Sequence, residues 1–205
     1  YYHGRVYANA GLRHEAMTAY TRAQEFVDEV DAPYPVGLLY LQMGVLYGND
    51  YDYSKGMLYM EEASRYFGMA GKGRLQNIAK RNIGQFYLNL EDVKQAESML
   101  NEVLIWGKTN DDGYIVHGTL DLLLRLYDAT GNAEALGILL MNHPVETILP
   151  NSTTYAIIAY HHARKGETEA ATTALSYAWE ISKSTQDTAM LWHKSYQINR
   201  LILIF

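Results

Sequence analysis

The chain has no cysteine in 205 residues. That absence removes disulfide scaffolds, thiolate zinc sites and cysteine nucleophiles together. It also leaves the redox compartment open. Proline is scarce, with four residues, and so is phenylalanine, also with four. No apolar run approaches the ~18 residues a membrane-spanning helix needs. No charged start followed by an apolar stretch and a small-residue cleavage site marks a signal peptide. Lys and Arg number 17 against 23 Asp and Glu, for a net charge of −6. Neutralising phosphates takes clustered Lys and Arg, and no such cluster exists, so no nucleic-acid partner is expected. There is no low-complexity segment either. What is present is a hydrophobic content of 48%, enough to fold, and 18 tyrosines.

The tyrosines carry a period. Tyr7, Tyr47, Tyr87 and Tyr127 are spaced by 40, and Gly4, Gly44 and Gly84 share that step. Leu124 takes the glycine position before Tyr127. Nine residues after each tyrosine stand Ala16, Gly56, Ala96 and Leu136. Next come Tyr20, Met60, Leu100 and Leu140, then Ala23, Ala63 and Val103. Offsets of three and four place residues on one helical face, so each unit reads as two helices. The turns between them fall at Gly11, Asn49-Asp50, Asn89 to Asp92 and Gly131-Asn132. A small residue on each helix at one height lets two backbones approach, and a tyrosine beside it can fill the wedge with its ring buried. A fifth unit follows after 35 residues, with Ala159, His162, Gly166, Ala171, Leu175 and Ala178 in register. Pro144 shortens the step, because it cannot continue a helix. The unit-four helix is therefore expected to end near Asn142, and Asn151 to Thr154 supply caps for the next one. A last helix starts near Gln186.

Gly-x-x-Tyr followed by Ala-x-x-x-aromatic-x-x-Ala resembles the tetratricopeptide repeat (TPR). Unit one matches best, through Gly4, Tyr7, Gly11, Ala16, Tyr20 and Ala23. The similarity runs from residue 1 to about 183. The usual repeat has about 34 residues and closes on a proline; the longer step here is similar to TPR arrays of bacterial signalling and regulatory proteins. The tryptophan that often opens the first helix is missing. HEAT-like repeats share the period without the Gly-x-x-Tyr signature, and Sel1-like repeats are closer kin. The resemblance implies an all-α, right-handed superhelix of five helix-turn-helix repeats plus a C-terminal helix. Their approximate bounds are 1–32, 33–71, 72–110, 111–148 and 149–184, with the last helix at 185–205, all in one domain. The chain is expected to be a fragment of a larger protein.

In TPR proteins the first helix of each pair lines a concave groove that holds a peptide or protein. Helical geometry puts the residue after each glycine, and the one four before it, on that side. The expected groove residues are Arg5, Val45, Gln85, Arg125 and Tyr160 in one row, with Leu41, Arg81 and Asp121 in the next. The arginines suggest an acidic group on the partner. Leu38, Leu41 and Val45 form an apolar stripe. Each feature also has a plainer reading: Asp121 and Arg125 form an i,i+4 pair, and the stripe can be covered by the chain's own packing. Asn9, Asn49 and Asn89 recur at 40 and are expected to cap helix ends.

Catalytic and cofactor motifs do not emerge. His161 and His162 are adjacent and point about 100° apart, unlike an i,i+4 metal pair. Gly68 to Gly73 lacks phosphate-loop spacing. Asp50, Asp52, Ser54 and Glu61 mimic a calcium loop, but Lys55 replaces its bending glycine. No Ser-His-Asp set can be assembled from spacing. The expectation is therefore a non-catalytic scaffold that binds a protein or peptide, with no cofactor and no metal. Two alternatives stand beside it. One is a spacer or self-association module, which Leu41→Asp would disrupt. The other is a small-molecule sensor in which His161 or the arginines grip a ligand.

Overall fold

The computed structural model describes residues 1–27, 31–143, 151–185 and 189–203. Among them are eleven helices and no strand. They are α1 (Tyr2–Asn9), α2 (Arg13–Gln24), α3 (Pro33–Asn49), α4 (Tyr53–Met69), α5 (Gly73–Asn89), α6 (Val93–Thr109), α7 (Gly113–Ala129), α8 (Ala133–Asn142), α9 (Ser152–Arg164), α10 (Thr168–Thr185) and α11 (Ala189–Ile202). The chain falls into two compact units, Tyr1–Ile115 and Val116–Phe205, with the boundary in the first turn of α7. In the first unit α1 through α6 pack in chain order. In the second, α8 and α10 flank α9, and α11 packs on both α9 and α10.

The small residues act as the register requires. A Cβ built on Gly4 would lie 2.3 Å from the Tyr20 ring, and one on Gly84 would lie 2.8 Å from Leu100. These glycines admit the large residue of the partner helix, and Tyr20 and Leu100 are fully buried as a result. Tyr20 pays for its position in one respect: its hydroxyl has no hydrogen-bond partner, and burial pushes its pKa up to about 12.

The helix ends share one device. At Gly11, Tyr51, Gly71, Glu91, Asp111, Gly131 and Gly166 the backbone enters the left-handed region, with φ between 52° and 75°. The next residue then donates its N–H back to a carbonyl five positions earlier, as Asp52 does to Tyr47 at 3.0 Å and Asp92 to Tyr87 at 2.9 Å. This six-to-one closure is the Schellman motif. The same Asp52 and Asp92 then open the following helix, each accepting from a backbone N–H three residues on at 3.2 Å. Asp112 and Asn132 repeat the arrangement. Asn49 and Asn89 are the last residues of their helices and exposed; the side-chain caps at these turns come from Asp52 and Asp92.

The repeat tyrosines differ from expectation. Only the Tyr127 ring is buried; Tyr47 and Tyr87 are half-buried and Tyr7 is exposed. Tyr47 stacks on Tyr59 across the seam between α3 and α4, and Tyr87 packs at the edge of the first unit's core. Elsewhere, α8 ends at Asn142 and Asn151 caps α9 through the Thr154 N–H at 2.8 Å. Pro144 and Gln186 lie outside the described residues. No described helix is long and apolar enough to cross a membrane.

Candidate functional site

Most residues of the expected groove are already engaged. Leu41 is a correction: it is 8% exposed and belongs to the core of the first unit, with Leu38 and Val45 packed against that core. An aspartate at Leu41 would thus unfold the unit rather than probe an association surface. Val45 and Gln85 line one small depression together with Asn82 and Phe86. Arg81 lies 4.9 Å over the Tyr114 ring and donates to its hydroxyl at 3.3 Å. Arg74 approaches the same ring and pairs with Asp112 at 3.0 Å. Arg5 is exposed, with its guanidinium 5.9 Å from the Tyr1 ring.

In the second unit Asp121 and Arg125 do pair, at 3.9 Å. The stronger partners of Asp121 are elsewhere: it accepts from Asn151 Nδ2 at 2.8 Å and from the Thr154 hydroxyl. It holds the start of α9 in place. Tyr160 sits between Lys194 at 5.3 Å and Arg164 at 6.0 Å. Lys194 in turn is paired with Asp128. His161 is buried, which lowers its pKa, with Lys165 adding to the effect. The calcium-like residues are turn residues: Asp50 pairs with Arg13 at 2.8 Å and Asp52 is a helix cap. Among the described residues no three His, Asp or Glu side chains gather as metal ligands.

The seam between the two helices of a repeat is different, and the register shows why. In unit two of the repeat tyrosines line the seam and leave a cleft of about 430 Å³ beside Lys55, Leu58 and Tyr59. Tyr66, Tyr40, Tyr59 and Tyr47 form a stacked column with centroid steps of 5.6, 6.0 and 5.2 Å. Arg65 covers one end at 4.2 Å and Lys55 the other at 5.4 Å. In unit three, Met99 occupies the position of Tyr59, and Lys80 bridges to Glu102 at 2.5 Å across the seam. In unit five the α10 positions equivalent to Lys55, Leu58 and Tyr59 are Ala170, Thr173 and Ala174. All three are small, and the seam between α9 and α10 opens into a cleft of about 790 Å³.

Tyr155 and Tyr177 close one end of this cleft. They stand where Lys80 and Glu102 stand in unit three, and their rings are 5.4 Å apart. Ile158 and Ala174 form the apolar floor. At the other end His162 Nδ1 and Glu167 Oε2 are 2.5 Å apart, beside Glu169. That hydrogen bond holds the Glu167 pKa below the ordinary carboxylate value. A volume of this size, with an apolar floor and a few convergent polar groups, is typical of ligand sites. The signal for it was present in the sequence as a loss of bulk at three register positions. A related but smaller seam cleft of about 480 Å³ lies between α1 and α2, where Glu15, Thr18 and Ala19 hold the same positions.

No protein-family model matches the chain, and no curated protein does. Solved structures do. BtubC (BKLC) from P. vanneervenii superposes with a TM-score of 0.70 at 16% identity, covering 90% of this chain and 78% of its own. The apo form of RapI gives a TM-score of 0.77 at 13% identity, covering 91% of this chain and 70% of its own. At these identities the likeness shows the fold, and the chain is an all-α helical-repeat protein.

Proposed function

We propose that the chain is a non-catalytic scaffold that holds a protein or peptide segment, and that the cleft between α9 and α10 is where it holds it. The observation that supports this reading is the triplet Ala170, Thr173 and Ala174. Equivalent positions in unit two carry the larger Lys55, Leu58 and Tyr59 beside a cleft of about 430 Å³; here the small residues leave one of about 790 Å³. Covering the exposed apolar lining, to which the Tyr177 ring contributes, with a partner side chain is favourable by roughly 25 cal/mol per Å². The fold supports the reading as well, since repeat arrays present extended preformed surfaces at low ordering cost.

Selection from a displayed random-peptide library tests it. Thr173 is exposed at the cleft edge, so Thr173→Trp fills the cleft without touching the core. Peptides enriched on the wild-type chain should lose binding to a folded Thr173→Trp variant. No enrichment, or enrichment indifferent to the tryptophan, would overturn the assignment.

A further inference from the structure

The chemistry of the cleft points to its ligand. Its lining holds two carboxylates, Glu167 and Glu169, and no lysine or arginine. Tyr177 is 53% exposed, and its ring stands at the cleft edge beside Tyr155. Tyrosine faces attract cations, and ionised carboxylates do so more strongly over short range. Glu167 is already engaged, by His162 Nδ1 at 2.5 Å and by Lys165 Nζ at 3.9 Å, and Lys165 is not part of the lining. Glu169 makes no ion pair among the described residues. Between the carboxylates and the tyrosine pair lies the apolar floor.

We infer that this cleft recognises a peptide segment in which an apolar anchor side chain is flanked by lysine or arginine. The anchor lies on Ile158 and Ala174, one flanking cation meets Glu167 and Glu169, and another meets the Tyr155–Tyr177 pair. The inference rests on the reading of the cleft as the binding site. It reverses the acidic partner that the arginines of the sequence suggest: Arg81 and Arg125 have partners of their own, whereas the open cleft is acidic.

Fluorescence polarisation with three labelled peptides tests it. Each carries one phenylalanine, flanked by two arginines, two serines or two glutamates. At low salt the arginine peptide should bind the wild-type chain at least about tenfold more tightly than the glutamate peptide. The double variant Glu167→Gln, Glu169→Gln should shrink that ratio to about twofold or less. Thr173→Trp should abolish binding of all three. Equal or tighter binding of the serine or glutamate peptide, still blocked by the tryptophan, would overturn the charge preference while leaving the site intact. Absence of binding by every peptide, or binding that ignores the tryptophan, would overturn the site and the preference together.

Discussion

Gly44 on α3 and Gly56 on α4 meet backbone to backbone. A Cβ built on Gly44 would lie 3.1 Å from the Gly56 carbonyl oxygen, and one on Gly56 would lie 3.4 Å from the Gly44 oxygen. The Met60 side chain closes the same contact at 3.0 Å. A methionine end can swing away, but a backbone carbonyl moves only if the two helices part. Gly44→Val should therefore destabilise the first unit by ~2 kcal/mol or more, although valine is the better helix former. Urea denaturation followed by far-UV circular dichroism checks this. Unchanged stability would mean that the helices do not approach as closely as the glycines permit.

The left-handed turn residues make an opposite prediction. Tyr51, Glu91 and Asp111 adopt φ of 62°, 61° and 52°, where a side chain is strained, and all three are exposed. Glycine serves the same turn position at Gly71 and Gly131. Each of Tyr51→Gly, Glu91→Gly and Asp111→Gly should raise stability by ~0.5–1 kcal/mol. Gly71→Ala should lower it by ~1 kcal/mol, through conformation alone, because a Cβ there would meet nothing within 4 Å. Denaturant midpoints of the four variants give the order directly.

The fold was legible because its signal is periodic and local. Gly4, Gly44 and Gly84 recur for the same reason that Tyr20, Met60 and Leu100 do: each small residue makes room for one large residue on the neighbouring helix. The expected groove was less legible because exposure depends on distant packing. Leu41 reads as a surface leucine on one helix, yet it packs into the core of the first unit. Asp121 reads as the local partner of Arg125, yet its closer partners are 30 and 33 residues away. Tyr40, Tyr59 and Tyr66 fit no repeat signature because their column depends on ring faces meeting between two helices, which spacing on one helix does not reveal. The cleft sits between these cases. Its small residues are visible in the alignment of units, but their meaning depends on knowing that those positions face the seam.

Asp121 offers a test of long-range anchoring. Its carboxylate accepts from Asn151 and from Thr154, which is 1% exposed. Asp121→Ala leaves the buried Thr154 hydroxyl without that acceptor, at a cost of ~2 kcal/mol. Amide exchange in the first turn of α9 should speed up in step. Arg125→Glu, by contrast, alters a pair at 3.9 Å whose arginine side chain is 40% exposed, and should cost under ~1 kcal/mol. An Arg125→Glu loss larger than that of Asp121→Ala would reverse the assignment of the stronger contact.

His161 makes stability depend on pH. It is 6% exposed; burial lowers its pKa, Lys165, His162 and Arg164 lower it further, and Glu167 alone opposes them. A Cβ built on Gly137 of α8 would lie 3.4 Å from its ring. The folded imidazole thus binds a proton less readily than the unfolded one, whose pKa is about 6.5. Below that value the unfolded chain takes up protons that the folded chain refuses, so stability falls as pH falls from about 6.5 through the folded pKa. Above it the contribution is constant. Denaturant midpoints measured at about pH 7.5 and about pH 5.5 should differ in the wild-type chain, and the difference should shrink in His161→Phe, which keeps an aromatic ring and loses the titration. An equal pH dependence in the two would show that His161 carries none of the linkage.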